Sequence, residues 1–597
     1  MSSAPHPTSP PPHAARARTA LPLIALLCAP LWIVGLFDRG LWTPDEPREA
    51  DIAWRMSWQQ DRLLPQLAGT PFLEKPPLSY WVSAATIRAW GDSPAAARAP
   101  NLLYALVTAL AVGALALAME LELLPALIAA LTTASALTAY RVAVWLAPDA
   151  CLLAGCALAL LGAWRGYRAP PGFAKLAGYT LLHLGAAIGF MAKSAPGWLV
   201  PALALLTLIV WERRFGELRR YELYAGFALQ ALIIGPWIVA VAHAPHGVEA
   251  LRTLFWNNVV GRFTQIAAPA GLDYTSGHHN TAGKYLLELP LYLLPWTLVV
   301  AAAVARAWHR IRDPGPRGTA WRFALASSIP FLVLLSLAAT ARDIYSAPAL
   351  LGFGLLAGLW AAEVQHSPTR LDRLAALGTF LLIALLAVAL ALALGVLAAA
   401  GAASWGVCGA AVVGVVLVSA AGLALGVRAW LRGALPRSLV WAYAAYALAV
   451  CVAASPMLPV IDRWQDLPAL AARIHADTAH DSLALLDPDE TTRAILDHGL
   501  ETPFTALSSD GAPPRNAVSA WFAGRGAAAR VLVLLPGHAG GAVTELVGRF
   551  RALPEPGDGV AGTLTAAGAA SLVQRYELPQ GRRYALLGPP APHQEPP

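Results

Sequence analysis

Charged residues are scarce in this chain, and they gather where apolar runs begin or end. Residues 40–81, GLWTPDEPREADIAWRMSWQQDRLLPQLAGTPFLEKPPLSYW, bring together Asp45, Glu46, Arg48, Glu49, Asp51, Arg55, Glu74 and Lys75. Other single ionisable residues stand at the ends of apolar runs. They are Asp149 in WLAPDACLLAG, Lys193 in GFMAKSAPGW, Arg262 in VVGRFTQ, His278 and His279 in SGHHNTAGKYLL, and Arg342 with Tyr345 in TARDIYSAP. Charge at membrane depth is expensive and tends to mark a site. Carboxylates with Lys and Arg along one water–lipid boundary suit chemistry on a lipid-linked phosphate. The cations hold the phosphate, and a carboxylate accepts a proton or helps to hold a metal. Each residue also has a plainer reading. A charge at a span end can snorkel to the headgroups, and Asp45, ahead of Pro47, could simply cap a helix. The common location of the group on one face favours a site.

Those residues need a scaffold, and composition says which kind. Of 597 residues, 57% are hydrophobic and 13% charged, with a mean hydropathy of +0.53. Soluble domains carry about a quarter charged residues, so an ordinary soluble enzyme, a disordered chain and a nucleic-acid binder are excluded. Apolar runs long enough to cross a bilayer recur near 20–37, 97–118, 123–139, 149–166, 176–192, 195–211, 222–243, 285–306, 322–340, 343–362, 373–400, 404–428 and 437–455. These thirteen candidate spans define a polytopic α-helical membrane protein. Arginines crowd alternate connections, at 213–220, 306–322 and 428–437. The positive-inside rule therefore places the N-terminus in the cytoplasm and everything after the last span outside. All five cysteines lie inside apolar runs, without disulfide or zinc spacing.

Residues 1–20 are Pro-rich and polar, and the sequence predicts a disordered cytoplasmic leader. The membrane domain is expected over 21–460, with outer loops at 38–96 and 244–284. Pro47 to Trp58 reads as an amphipathic helix in the headgroup layer, with Trp54 and Trp58 four residues apart. The tail, 461–597, reads as an outer α/β domain. SLALLDP (482–488) and ARVLVLLPG (529–537) are its buried strands, Asp489 to His498 a capped helix, and Val573–Leu578 with Arg582–Leu587 a hairpin.

With these residues in place, the chain resembles the C-type (GT-C fold) membrane glycosyltransferases. It is most similar to the aminoarabinose lipid A transferases and their protein-mannosyltransferase-like bacterial relatives. LWTPDEPREADI (41–52) and FLEKPPLSYW (72–81) carry the resemblance. AARAP (96–100), Asp149, Arg262-Phe263, a His six residues before Tyr285, LPW (294–296) and the Arg–x–x–Tyr–x–x–Pro pattern at 342–348 support it. The family often has Lys-Gly where this chain has Lys193-Ser194, and a Pro-aromatic run where it has 282–285.

The resemblance implies inverting transfer of a sugar, aminoarabinose being one candidate, from an undecaprenyl-phosphate carrier. The acceptor would be lipid A or another envelope molecule at the periplasmic face of the bacterial inner membrane. Asp45 would stand at the reacting centre with Asp149 supporting it. Lys75, Arg48, Glu46, Lys193, Arg262, Arg342 and Tyr345 would bind substrate. Glu74 and His279 are candidates for a divalent metal, and no nucleotide or organic cofactor is expected. Mannosyl-type transfer to protein or glycolipid is the alternative within the class. A lipid-linked sugar flippase would instead concentrate charge at the midplane of repeated halves, and a scaffold acting through its tail would leave the Asp45/Glu74/Lys75 loop unexplained.

Overall fold

The computed structural model describes residues 12–60, 62–261, 280–281, 283–509, 513–537 and 557–590. Each of the thirteen predicted runs falls on helix. Among the described residues, ten helices are long and apolar enough to cross a membrane, two bent pairs pass the same test together, and Pro196–Trp211 is a shorter apolar helix. The chain is therefore a multi-pass membrane protein. Its first helices are α1 (Pro12–Leu36), α2 (Glu46–Trp58), α3 (Leu78–Trp90), α4 (Pro94–Ala118), α5 (Leu123–Ser135), α6 (Leu137–Val144), α7 (Asp149–Arg168), α8 (Phe173–Lys193) and α9 (Pro196–Trp211). Helix α1 already begins at Pro12, so the end of the expected disordered leader is helical. Its Ala- and Arg-rich composition has high helix propensity and extends the span.

Two spans that look continuous in sequence are broken. Helices α5 and α6 meet at 66°, and Lys284–Tyr292 meets Thr297–Arg310 at 119°. The breaks satisfy each other: the Leu137 N–H donates to the Leu294 carbonyl at 2.9 Å, and Trp296 Nε1 donates to Ser135 Oγ at 2.9 Å. Non-helical backbone at this depth is stable only where protein supplies its partners. Helices α7 and α8 touch backbone to backbone, since a Cβ on Gly162 would lie 2.1 Å from the Leu182 nitrogen. Small residues allow such contact in helices that cannot rely on the hydrophobic effect within lipid.

The last span, Leu435–Trp464, runs on past residue 460 and leads into Leu467–Thr478. Beyond it stands a five-stranded sheet in the order Thr505–Leu507, Ser482–Leu486, Ala529–Leu535, Arg583–Gly588, Ser571–Glu577. The first three strands are parallel, and the last two pair antiparallel. Alternate strand residues fill two cores. Ala484, Val531, Val533 and Leu587 pack on one face, and Leu483, Leu485, Leu532 and Leu586 on the other. The helices Leu467–Thr478 and Glu490–Asp497 cover the second face.

Helix Glu490–Asp497 also docks on α2. Arg48 pairs with Glu490 and Arg55 with Asp497. The Thr491 hydroxyl donates to the Pro44 carbonyl at 3.1 Å, and the Trp54 ring stacks on His498 at 5.2 Å. The apolar face of the expected amphipathic helix packs on protein. Ala50, Ile52, Ala53 and Met56 are buried between α3 and the C-terminal domain, while Trp58 is 50% exposed. The protein, rather than lipid, takes the amphipathic face.

Candidate active site

Asp45 stands in the N-cap position of α2, yet its side chain makes no capping hydrogen bond. Its carboxylate instead takes two arginines. Arg342 Nη2 donates to Oδ2 at 2.6 Å and Nη1 to Oδ1 at 3.2 Å, while Arg48 Nη2 reaches Oδ1 at 3.1 Å. Arg342 is itself held by Tyr285, whose hydroxyl donates to its carbonyl at 3.0 Å and accepts from its N–H at 3.1 Å. At 5% exposure, burial pushes the Asp45 carboxyl up, but Arg48, Arg342 and Lys75 more than offset this and hold it at about 2. The group stays ionised across physiological pH, and its stabilising contribution is lost only as pH falls toward 2.

From Asp45 the charges continue without a gap. Arg48 Nη2 donates to Glu49 Oε1 at 2.7 Å, Lys75 Nζ donates to the same oxygen at 3.2 Å, and Lys75 lies 3.3 Å from Glu74. Burial alone would make the Lys75 ammonium more acidic, but Glu49 and Glu74 raise its pKa, so it remains a cation. Lys193 Nζ donates to Asp149 Oδ1 at 2.6 Å and sits 4.5 Å from the centre of the Tyr345 ring. Glu74, Lys75, Asp149, Lys193, Ser194 and Tyr345 line a cavity of about 110 Å³. Leu152, Leu199, Val259, Phe331, Leu334 and Leu335 form its apolar side. Asp45 borders a second, wider cleft against Asp487, Asp489, Glu490 and Arg493 of the C-terminal domain. Asp45 does not line the first cavity and is linked to it through Arg48, Glu49 and Lys75.

Glu46 is placed differently from its expected substrate-binding role. It is fully buried, with Oε1 accepting from Arg39 Nη2 and the Leu146 N–H at 2.8 and 2.9 Å. Oε2 accepts from Arg39 Nη1, the Trp42 N–H and Arg98 Nη1. Both oxygens are fully used inside the protein, and none of their capacity faces a ligand. Arg98, from the AARAP element, also donates to the carbonyls of Leu36 and Gly40 at 2.8 and 2.9 Å. Glu46 is thus a positioning group for the loop that carries Asp45.

Two groups of known proteins match this chain. A family model described as dolichyl-phosphate-mannose-protein mannosyltransferase matches residues 24–247. An undecaprenyl phosphate-alpha-4-amino-4-deoxy-L-arabinose arabinosyl transferase from Pseudomonas aeruginosa (strain LESB58) is 30% identical over 343 residues, 57% of this chain and 59% of its own length. One of the same description from Edwardsiella ictaluri is 30% identical over 344 residues, 58% and 59% of the two chains. The match thus takes in less than two thirds of these relatives. Among solved structures, ArnT from Cupriavidus metallidurans bound to undecaprenyl phosphate superposes with a TM-score of 0.64 at 19% identity, covering 97% of this chain and 99% of that one. An oligosaccharyltransferase from Archaeoglobus fulgidus gives 0.53 at 12% identity, over 97% and 75%.

The chain has the GT-C membrane glycosyltransferase fold. Within this GT-C chain, Asp45, Arg48, Glu74, Lys75, Asp149, Lys193, Arg342 and Tyr345 converge, although they come from five separate stretches of sequence. Arg262 and His279 lie outside the described residues, as does His278. Glu49 belongs to the constellation but not to the expected site residues. Its position one helical turn after Asp45 was the available signal. Glu490, 442 residues from Arg48, had no signal.

The Glu46 assignment predicts that Glu46→Gln leaves Arg39 and Arg98 buried against a neutral amide. Breaking a buried pair costs about 3–5 kcal/mol, so the purified variant should melt well below wild type in a thermal unfolding assay. An unchanged melting temperature would return Glu46 to the ligand-binding set.

Proposed function

We propose that the protein is an inverting glycosyltransferase that uses an undecaprenyl-phosphate-linked sugar. The observation that carries this reading is the buried, continuous run of alternating charge from Arg342 through Asp45 to Lys75, next to a cavity with an apolar side. Lys75 and Lys193, which line the cavity, would neutralise the carrier phosphate. The bond from the sugar's anomeric carbon to the phosphate oxygen breaks, and the phosphate leaves with the electron pair. An acceptor oxygen forms the new bond from the opposite face. Positive charge developing on the sugar is stabilised by the Asp45 carboxylate, with Asp149 fixing Lys193. Aligned groups of this kind are worth a hundredfold or more in rate.

Asp45 bears on the acceptor. A carboxylate with a pKa near 2 is a poor base for a hydroxyl, since an effective general base has a pKa near the working pH. An acceptor that is already ionised, such as a phosphate of lipid A, needs no such base. This supports transfer to a lipid A phosphate, and the relatives named as undecaprenyl phosphate-alpha-4-amino-4-deoxy-L-arabinose arabinosyl transferases support aminoarabinose as the sugar. The mannosyltransferase match over 24–247 supports the second reading, transfer to a protein or glycolipid hydroxyl. A divalent metal would need more than the described donors offer. Glu74 has the Lys75 ammonium 3.3 Å away, and among the described residues no three His, Cys, Asp or Glu groups cluster. No step is assigned to a metal.

The reaction would take place at the periplasmic face of the inner membrane, with the N-terminus cytoplasmic and the C-terminal domain periplasmic. The alternation of arginine-rich connections supports this orientation. A reporter active only in the periplasm should be active when fused after residue 460 and inactive after residue 215; the reverse pattern would overturn the orientation. Purified protein should move a labelled sugar from undecaprenyl phosphate to lipid A, and Lys75→Ala should lose most of that turnover without unfolding. Transfer to peptide or glycolipid but not lipid A would select the second reading. Near-normal turnover in Lys75→Ala would reduce the EKPPL element to a structural loop.

A further inference from the structure

Ser194 occupies a backbone conformation that suits glycine. It closes α8 with φ +56° and ψ −130°, which glycine adopts freely and a side chain tolerates only under constraint. The constraint lies in the hairpin between α8 and α9. Across this turn Gly189 and Gly197 meet backbone to backbone, and a Cβ on Gly197 would fall 2.2 Å from the Gly189 carbonyl carbon. Two hydrogen bonds close the turn. The Ser194 N–H donates to the Phe190 carbonyl at 2.7 Å, and the Gly197 N–H donates to the Ser194 carbonyl at 3.0 Å. Pro196 then starts α9 at once. These contacts hold the backbone at residue 194.

The side chain in this strained place faces useful chemistry. Ser194 lines the cavity beside Lys75, Asp149 and Lys193, and it is 7% exposed. Its hydroxyl makes no hydrogen bond among the described residues. A glycine would relieve the backbone, and no hydrogen bond among the described residues accounts for the hydroxyl. Two ammonium groups in the same cavity supply charge for an anion, but neither gives the directional, neutral donor that a phosphate oxygen also accepts.

We propose that Ser194 is a ligand-binding residue whose hydroxyl donates to a non-bridging oxygen of the lipid-linked phosphate held by Lys75 and Lys193. The identity of the anion rests on the transferase reading; the strained backbone and the cavity position do not. The test is titration of the purified full-length chain with undecaprenyl phosphate, alongside thermal unfolding. Ser194→Ala keeps the Cβ and the strained backbone and removes only the hydroxyl. It should weaken binding about tenfold, the usual scale for a hydrogen bond to a charged group, at an unchanged melting temperature. Ser194→Gly should weaken binding equally while melting at or above wild type, a pairing that a purely structural serine would not give. Ser194→Ala binding within twofold of wild type, while Lys75→Ala and Lys193→Ala lose binding, overturns the Ser194 assignment alone. A wild-type chain that does not bind, or lysine variants that bind like wild type, removes the carrier reading and this proposal with it.

Discussion

A buried carboxylate between two buried arginines organises this molecule. Glu46 has no exposed surface, and an isolated charge there would be prohibitive. Arg39 and Arg98 make it tolerable, and they do so by tying three places together: the end of α1, the start of α4 and the loop before α7. Asp45 is the preceding residue, so the same network sets where its carboxylate stands. The end of the last span and the C-terminal domain close the arrangement from the other side. Asp462 accepts from the Gly40 N–H and Trp42 Nε1 at 2.9 and 2.7 Å, and Glu490 holds the far end of Arg48. A loop of this length would otherwise be free to move. Here its two helices are clamped between the membrane domain and a sheet domain.

That clamping accounts for the electrostatics. Arg48, Lys75, Lys193 and Arg342 are interleaved with Asp45, Glu49, Glu74 and Asp149, and each charge has an opposite neighbour within hydrogen-bonding distance. Such a network is costly to desolvate, and it is weak evidence for stability in itself. It does hold Asp45 and Lys75 as ions and keeps the groups in place before a ligand arrives, which is what electrostatic preorganisation requires. The same interleaving makes Asp45 a weak base. The geometry therefore suits stabilising a charge better than removing a proton.

Much of this was legible in the sequence because the bilayer imposes strong rules. The thirteen apolar runs, the strands at 482–486 and 529–535 and the charged stretch at 40–81 all follow from local pattern. What pattern could not show depends on distant partners. The runs at 123–139 and 285–306 look continuous because composition is blind to a break whose exposed backbone is satisfied by another break. Glu46 and Asp45 are adjacent acids with the same local signal, and only packing sends Glu46 inward to Arg39 and Arg98 and Asp45 to Arg48 and Arg342. Docking of Glu490–Asp497 on α2 joins residues more than 400 positions apart, and the short strand Thr505–Leu507 has too few residues to show alternation. Lys193-Ser194 stood out as a departure from the family's Lys-Gly, but its meaning needed the dihedral angles.

The central claim is that the negative charge of Asp45, rather than its shape, does the chemistry. Asparagine has nearly the same shape as aspartate, so Asp45→Asn removes the charge, and with it the ion pairs to Arg48 and Arg342, at constant side-chain volume. The decisive measurement is the rate at which purified Asp45→Asn protein transfers labelled sugar from the lipid-linked donor, with its melting temperature recorded beside wild type. The account predicts a folded variant that is slower by about a hundredfold or more. A folded Asp45→Asn protein that keeps at least half of the wild-type rate would contradict it.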